Sequence, residues 1–330
     1  RLPKPHTTYA NIIKSFLPIG DQDKSANAVL PNATYSVNTL EIDHDNLADY
    51  RRICGFENNS YVPPTYFAVL SQSLQMNMMV KEPFPFAMLG LIHVQNSVTQ
   101  YRRIKDSAVF RMAVSFANLR DHDRGKQFDF VTKVFEKDEL VWEGTSTYLS
   151  RQKRQKTTQK SSTTQVEPKP TLDSNDMHEF WEIPEDIGRR YAFISGDFNL
   201  IHLHPLSAKA FGFPKAIAHG MWTKAKCLGA LGDLPESFTC DVTFKLPIFL
   251  PSEVEFIAKF DNRDEQVDFG VYDPATPKAN LIGKITQAQA KKKRQKNFNK
   301  GSMLSGYFFS RVFFSTMVFS KWFFRMLLKQ

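Results

Sequence analysis

The sequence has little cysteine, little glycine and no long uncharged apolar run. Its three cysteines are too few and too scattered along 330 residues for a disulfide framework, and no two of them have the CxxC spacing of a zinc site. Glycine occurs 15 times and phenylalanine 29 times, which disfavours a glycine-rich phosphate-binding fold and favours large apolar cores. We therefore expect a protein of a reducing compartment that holds no metal.

Acidic residues are missing from residues 291–330. That segment carries ten lysines and arginines, whereas the whole chain has a net charge of +9, so the rest of the chain is nearly neutral. A basic nucleic-acid-binding face on the folded body is therefore not expected. The first residues contain no apolar stretch of signal-peptide length, so we expect no secretion signal and a cytoplasmic protein.

Composition divides the chain into four segments. Residues 151–175 are a polar linker rich in Lys, Gln, Ser and Thr, and the globular pattern stops again at residue 291. We expect an N-terminal domain over 1–150, a C-terminal domain over 176–290 and a basic tail over 291–330.

The two halves of the chain read as distant copies of one unit. Each begins with an acidic, helix-like stretch that leads to a tyrosine, EIDHDNLADYRRICGF with Tyr50 and WEIPEDIGRRYAFISGD with Tyr191. An apolar helix and a series of alternating, strand-like segments follow in both halves. Because a sheet with one apolar face needs a cover, the expected fold class is α+β, with a buried helix and an antiparallel sheet in each half.

One stretch, YAFISGDFNLIHLHPLSAKAFGFPKAIAHGMWTKA from Tyr191 to Ala225, contains the residues suited to acid–base chemistry. Asp197 and His202 lie five positions apart on a turn-rich segment, so a loop can direct both side chains at one water molecule. Gly220 lies where the sequence enters an apolar helix. Its backbone N–H is therefore predicted to stabilise negative charge on a substrate oxygen.

The same stretch resembles the signature of MaoC-like (R)-specific enoyl-thioester hydratases, which runs approximately Y-x-x-x-S-G-D-x-N-P-I-H, then A-x-x-x-G-F, then I-A-H-G-M. The matching residues are Ser195, Gly196, Asp197, Asn199, Ile201, His202, Gly212, Phe213, Ile217, Ala218, His219, Gly220 and Met221. The paired halves are similar to the two-domain 3-hydroxyacyl-thioester dehydratases in particular. The resemblance implies a double hot-dog fold, with two antiparallel sheets each wrapped around a central helix, and one chain acting as a pseudo-dimer.

The resemblance also implies a function, a hydro-lyase that interconverts trans-2-enoyl and (R)-3-hydroxyacyl thioesters. Asp197 and His202 are its implied acid and base, and the Gly220 N–H is the implied oxyanion donor. The implied loop-supporting residues are Ser195, Gly196 and Asn199, and the implied substrate-binding residues are Ile217, Ala218, His219 and Met221. The thioester carrier, CoA or the phosphopantetheine of acyl carrier protein, is part of the substrate, so no separate cofactor is expected.

Several features of the motif leave alternatives open. The first half has Cys54, Gly55 and Phe56 where the second has Ser-Gly-Asp, so it cannot supply the same acid and base. Leu200 replaces the proline of N-P-I-H, which removes a restraint on the loop. His219 is either a substrate-lining residue or a hydrogen-bonding and packing residue.

Two rival functions stay open for the chain as a whole. One is a catalytically silent acyl-thioester-binding or scaffold protein at a membrane, and the other is a hot-dog thioesterase.

The tail from Tyr307 is aromatic and basic. Arg311, Lys321 and Arg325 leave no uncharged run in 307–330 longer than nine residues, whereas crossing a bilayer takes roughly 20. On a helix, the serines and basic residues group in one sector, which predicts a basic amphipathic helix at an anionic membrane surface, peripheral to the inner membrane face. An alternative is that this helix packs on the enzyme or on a partner protein. Whether the chain forms a homodimer also stays open.

Overall fold

The computed structural model describes Leu2 and residues 28–88, 91–151, 169–261 and 266–288. The N-terminal half consists of β1 (Thr34–Leu40), α1 (His44–Cys54), α2 (Tyr66–Lys81), β2 (Leu91–Gln100), β3 (Phe110–His122), β4 (Gly125–Glu136) and β5 (Glu139–Arg151). The C-terminal half consists of β6 (Met177–Ile183), α3 (Ile187–Ser195), a 3-10 turn (Leu200–His202), α4 (Pro205–Ala210), α5 (Gly220–Leu231), β7 (Phe238–Phe244), β8 (Ser252–Phe260), β9 (Gln266–Tyr272) and β10 (Ala279–Gln287).

The first helix of each half ends in the same way. Asp43 is the N-cap of α1, and its carboxylate accepts a hydrogen bond from the Asn46 N–H at 3.1 Å. Helix α1 ends at Gly55 with φ 81°, and α3 ends at Gly196 with φ 74°. Glycine adopts such left-handed conformations without a steric penalty. The resemblance between the two halves is therefore present in the backbone as well as in the sequence.

The ten described strands join in one antiparallel sheet, in the order β1-β3-β4-β5-β2-β7-β10-β9-β8-β6. β2 of the first half pairs with β7 of the second, from Gln95 opposite Thr243 to Gln100 opposite Phe238. The α+β hot-dog class is confirmed. The two sheets that we expected are five-stranded halves of one continuous sheet, because the β2–β7 pairing joins them edge to edge.

Each half places one long helix on its part of the sheet. α2 packs against β1, β3 and β4, and α5 packs against β10. Side chains are buried on several sides of both helices rather than along one stripe, as expected for central helices. The apolar helices predicted in both halves are thereby confirmed.

The start of the second half differs from its prediction. The stretch read as helical from Trp181 begins with the end of β6, and the helix starts only at Ile187. Trp181 and Ile183 are buried and Glu182 between them is exposed, which is the alternation of a strand. The later strand-like segments of both halves are confirmed as β3 to β5 and β8 to β10.

Buried polar contacts cross the seam between β2 and β7. The Lys224 ammonium on α5 donates to the Asn96 Oδ1 on β2 at 2.7 Å and to the Cys240 carbonyl on β7 at 2.9 Å. The Trp222 Nε1–H, also on α5, donates to the Ile53 carbonyl of the first half at 3.0 Å. Both halves therefore hold α5 in place.

Two predicted segments lie outside the described residues, namely most of the polar linker 151–175 and the whole tail 291–330. The described residues between 28 and 288 form one compact unit, and the predicted boundaries between the two hot-dog halves stay a prediction. The three cysteines are buried free thiols. In the described part of the chain the longest helix has 16 residues, and none of the helices is long and apolar enough to cross a bilayer.

Candidate active site

Asp197 lies on the loop between α3 and the 3-10 turn. Gly196 ends α3 in a left-handed conformation, and the Ser195 Oγ accepts a hydrogen bond from the Asp197 N–H at 3.2 Å. The Asp197 Oδ1 accepts from the Asn199 N–H at 3.2 Å, and the Asn199 Oδ1 accepts from the Ile201 N–H at 3.5 Å. Successive turns of this kind are typical of Asp and Asn. Ser195, Gly196 and Asn199 thus lie where a loop-supporting role needs them, and the Asn199 side chain restrains the turn that lacks the proline.

His202 lies at the end of the 3-10 turn and is buried. Its Nδ1 is 2.7 Å from the Ile217 carbonyl oxygen. Because a carbonyl only accepts, Nδ1 carries the proton, and Nε2 of the neutral ring keeps a lone pair. Burial lowers the pKa of His202 below its ordinary value of 6.5, and the charge of Asp197 opposes part of this effect. The ring is therefore neutral and is held in a fixed orientation.

His219 contacts both members of the predicted acid–base pair. Its Nε2–H donates to the Asp197 carbonyl oxygen at 3.0 Å, and its ring stacks on the His202 ring with centroids 3.7 Å apart. Burial, reinforced by His202, lowers the pKa of His219 to about 3, so the ring is neutral. The structure thus places His219 as a hydrogen-bonding and packing residue at the centre of the site.

The Asp197, His202 and His219 side chains also form a compact set of candidate ligands. Each offers one ligand atom, and these atoms all lie within 4.8 Å of one another. One nitrogen of each imidazole is directed at a backbone carbonyl, so the set holds at most one free nitrogen from each ring. A carboxylate and two imidazoles are suited to a transition metal, and the expectation of a metal-free site stays a prediction.

Gly220 is the first residue of α5 and directly follows His219 in the sequence. N–H groups in the first turn of a helix have no acceptor within that helix, and the helix dipole makes this end attractive to negative charge. A Cβ at Gly220 would come within 2.9 Å of two carbons of the Phe244 ring. Glycine is therefore required for the close approach of α5 to β7 at this point.

Two of the other predicted substrate-binding residues, Ile217 and Ala218, make backbone hydrogen bonds near the site. The Ile217 carbonyl orients His202, and the Ala218 N–H donates to the Ile248 carbonyl at 2.9 Å. Both side chains are buried, and Met221 is partly buried against the core. Of these residues, Ile217 contacts His202 directly through its carbonyl.

Two residues of the first half, His93 and Tyr148, lie near the start of α5, and sequence reasoning missed both. The His93 ring is 5.1 Å from the Phe244 ring, which lies against Gly220. Burial lowers the pKa of His93 to about 4 and raises the pKa of Tyr148, and the Asp197 carboxylate acts electrostatically on both groups. His93 lies on β2 and Tyr148 on β5, and their rings stack with centroids 4.7 Å apart. No local motif marks them, because only the pairing of β2 with β7 brings them to the second half.

In the first half, the position that corresponds to Asp197 holds an aromatic residue. Phe56 follows Gly55 as Asp197 follows Gly196, and its ring stacks on Tyr50 with centroids 6.2 Å apart. Burial raises the pKa of Cys54, which keeps this thiol protonated. The copy in the first half therefore lacks an acid–base pair at this position.

Comparison with known proteins identifies the family of this chain. The family profile described as MaoC like domain matches residues 155–270. The 3-hydroxyacyl-thioester dehydratase X of Mycobacterium tuberculosis is 36% identical over 224 residues, which cover 68% of this chain and 79% of that protein. The chain belongs to the MaoC-like dehydratase family. This MaoC-like dehydratase is accordingly a hydro-lyase.

Solved structures show the same fold as this MaoC-like dehydratase. The crystal structure of HtdX from Mycobacterium tuberculosis aligns with a TM-score of 0.65 at 30% identity, over 78% of this chain and 100% of that one. A MaoC-like dehydratase from Phytophthora capsici aligns with a TM-score of 0.59 at 20% identity, over 81% of this chain and 98% of that one. The second likeness concerns the fold alone.

Proposed function

We propose that this MaoC-like dehydratase interconverts trans-2-enoyl and (R)-3-hydroxyacyl thioesters carried by CoA or acyl carrier protein. The observation that carries the proposal is the cluster of Asp197 and His202 beside the N-terminus of α5, with His202 oriented through Nδ1 so that Nε2 retains its lone pair. The name of the Mycobacterium tuberculosis relative, a 3-hydroxyacyl-thioester dehydratase, supports the choice of substrate class.

In the hydration direction, the pair moves one proton of a water molecule. The His202 Nε2 accepts that proton as the water oxygen bonds to C3 of the enoyl group, and the electron pair of the C2–C3 double bond moves toward the thioester carbonyl. The proton then returns to C2, either directly from His202 or through Asp197. Dehydration is the reverse of these steps. General acid–base catalysis of this kind contributes about 10²- to 10⁴-fold to a rate.

The thioester oxygen gains negative charge when the enolate forms. The Gly220 N–H at the start of α5 is the proposed donor to this oxygen, and the helix dipole adds to its effect. His219 links the two parts of the site, because it precedes Gly220 and holds the Asp197 carbonyl. Removing one oxyanion donor costs about 2.7 to 4 kcal/mol in other enzymes.

The proposed reaction adds or removes only the elements of water. It therefore requires no electron transfer, and we propose that CoA or phosphopantetheine enters as part of the substrate rather than as a resident cofactor. The proposed reaction can take place within one chain and needs no second copy of it, since both halves of the pseudo-dimer belong to the same sheet.

The loss of enoyl absorbance from crotonyl-CoA and from a longer enoyl-CoA tests the proposal. Wild type is expected to hydrate at least one of them saturably, and Asp197→Asn and His202→Ala are each expected to lose about 10²- to 10⁴-fold in kcat/KM with unchanged circular dichroism. His122→Ala, an exposed histidine of β3, is the matched control and retains full activity. Activity that survives both site substitutions would contradict the assignment.

A further inference from the structure

His219 is buried at the centre of the site, so its side chain has almost no surface to offer a substrate. It is 2% exposed, whereas the Asp197 side chain is 26% exposed. The Tyr191 ring packs on the His219 ring with centroids 5.0 Å apart, and the His202 ring stacks on it at 3.7 Å. A role without direct contact to substrate fits this burial better than the substrate contact that the sequence predicts for His219.

The His219 side chain makes its hydrogen bond with the backbone of Asp197. The Nε2–H donates to the Asp197 carbonyl oxygen at 3.0 Å, and Nε2 is 4.0 Å from the Asp197 Oδ2, which is too long for a hydrogen bond. The Nδ1 atom is buried and has no hydrogen-bond partner among the described residues. Loss of the imidazole therefore removes its bond to the main chain of Asp197, and no other within the described part of the chain.

This hydrogen bond ties Asp197 to a distant part of the chain. It crosses 22 positions, whereas the turn bonds within the loop cross two. At its other end, the His219 carbonyl accepts a hydrogen bond from the Thr223 N–H in α5 at 3.1 Å. Asp197 is thus held relative to the helix that begins with Gly220.

The loop benefits from such a restraint because it has Leu200 where the family pattern has proline. Leu200 is the first residue of the 3-10 turn, and Asn199 before it has φ −58° and ψ 125°. Proline fixes its own φ, favours an extended residue before it, and is tolerated at the first position of a helical turn. The backbone is therefore suited to proline, and its absence leaves the restraint of the loop to contacts such as the His219 bond.

We propose that His219 is a positioning residue, which holds Asp197 through the Nε2–H bond and supplies part of the restraint that Leu200 does not. The inference rests on the proposed function, in which Asp197 and His202 act on one water molecule. A displacement of about 1 Å at such a site lowers the rate about a hundredfold. Because the bond acts on the main chain of Asp197 and not on substrate, kcat depends on it and KM does not.

Two variants separate the hydrogen bond from the packing. His219→Phe keeps an aromatic ring against His202 and Tyr191 and removes the N–H donor. His219→Gln removes the ring and keeps a donor, because the amide nitrogen of Gln reaches about as far from Cα as Nε2 does. We expect kcat for hydration of an enoyl-CoA to fall about tenfold to a hundredfold in His219→Phe and by a smaller factor in His219→Gln, with KM within about twofold of wild type in both. His122→Phe, at an exposed histidine of β3, is the control and should change neither constant.

The substitution Leu200→Pro tests whether the bond acts by restraining the loop. The proline is expected to raise kcat of His219→Phe by a larger factor than it changes kcat of wild type, because it supplies a restraint that only the variant has lost. Hydrogen exchange of the peptide that contains residues 195–202 gives a readout independent of activity. We expect faster exchange in His219→Phe than in wild type and in His219→Gln, and slower exchange again at the remaining amides when Leu200→Pro is added.

A raised KM with unchanged kcat in His219→Phe would indicate a substrate contact and overturn the positioning role. A larger loss of kcat in His219→Gln than in His219→Phe would assign the effect to packing and overturn it as well, and neither result affects the proposed function. Wild type without activity on any enoyl-CoA would overturn the proposed function. In that case the exchange rates still decide the restraint, since equal exchange in wild type and His219→Phe would overturn it.

Discussion

At the scale of single residues, two backbone carbonyls determine the chemistry of the site. The Ile217 carbonyl accepts a hydrogen bond from the Nδ1–H of His202, and the Asp197 carbonyl accepts one from the Nε2–H of His219. Each imidazole is thereby fixed in one tautomer and one orientation, which a catalytic base requires. The two rings stack, so neither can be protonated without an unfavourable effect on the other.

The proposed role of His202 as a base predicts the pH dependence of hydration. Burial lowers its pKa below 6.5, so the ring loses its proton at a lower pH than a free histidine and remains a base in mildly acidic solution. The acid limb of kcat/KM for hydration is therefore expected to have its midpoint below pH 6.5. A pH profile of the initial rates measures it, and a midpoint at or above 6.5 would be inconsistent with this buried base.

The substitution Gly220→Ala adds a methyl group that meets the Phe244 ring at 2.9 Å. The ring or the start of α5 must move, so we expect a destabilisation of about 1–3 kcal/mol and a lower kcat. Urea unfolding and the hydration assay measure the two effects. The double variant Gly220→Ala with Phe244→Leu removes the overlap and should regain stability; a double variant as unstable as the single one would show that the overlap is not the cause.

At the scale of elements, α5 is the structure on which both halves converge. Its first residue is the proposed oxyanion donor, and its Lys224 is fully buried. The three protons of this ammonium reach the Asn96 carbonyl at 3.2 Å, the Asn96 Oδ1 at 2.7 Å and the Cys240 carbonyl at 2.9 Å. The ammonium therefore ties the helix to both strands of the seam.

Replacement of Lys224 by methionine is expected to lower the free energy of unfolding by at least about 2 kcal/mol, because it leaves buried acceptors without donors. Lys226→Met on the same helix is the matched control. The Lys226 ammonium lies 4.5 Å from the Trp181 ring centroid, and a contact of this kind contributes about 0.5–1 kcal/mol at a partly exposed site. Urea denaturation compares the two, and equal losses would contradict the role of Lys224 at the seam.

The individual elements were largely predictable, because each has a local signal. Alternating residues predicted β3 to β5 and β8 to β10, and apolar runs predicted α2 and α5. The stretch from Trp181 was ambiguous, since its acidic residues suit an exposed helix as well as the exposed face of β6. The β2–β7 pairing has no local signal at all, and it converts the two expected sheets into one.

At the scale of the whole molecule, the site combines a contiguous motif with contacts between distant residues. The sequence pattern predicted Asp197, His202 and Gly220, because they share one stretch of chain and the structure brings that stretch together. It did not predict that His93 and Tyr148 lie near the start of α5, because only the joined sheet brings them there. The half without the motif thus packs against the start of α5 through His93 and Phe244.

The tail 291–330 lies outside the described residues, and its role stays a prediction from the sequence. Ten basic residues without acids predict binding to anionic vesicles, with each Lys or Arg near the surface adding about 1 kcal/mol. Replacement of Arg311, Lys321 and Arg325 by glutamine is expected to weaken binding about a hundredfold. Cosedimentation with anionic and neutral vesicles measures this, and equal binding to both kinds would contradict an electrostatic membrane contact.

Hydration of an enoyl-CoA in ¹⁸O-labelled water, followed by mass spectrometry of the products, distinguishes the proposed hydratase reaction from both rival functions. We expect an intact 3-hydroxyacyl-CoA with the label in its hydroxyl group, and no label with Asp197→Asn or His202→Ala. Label in a free carboxylate, together with release of the CoA thiol, would contradict the proposed function and indicate a thioesterase. An unlabelled and unchanged enoyl-CoA would contradict it and indicate a protein that only binds acyl thioesters.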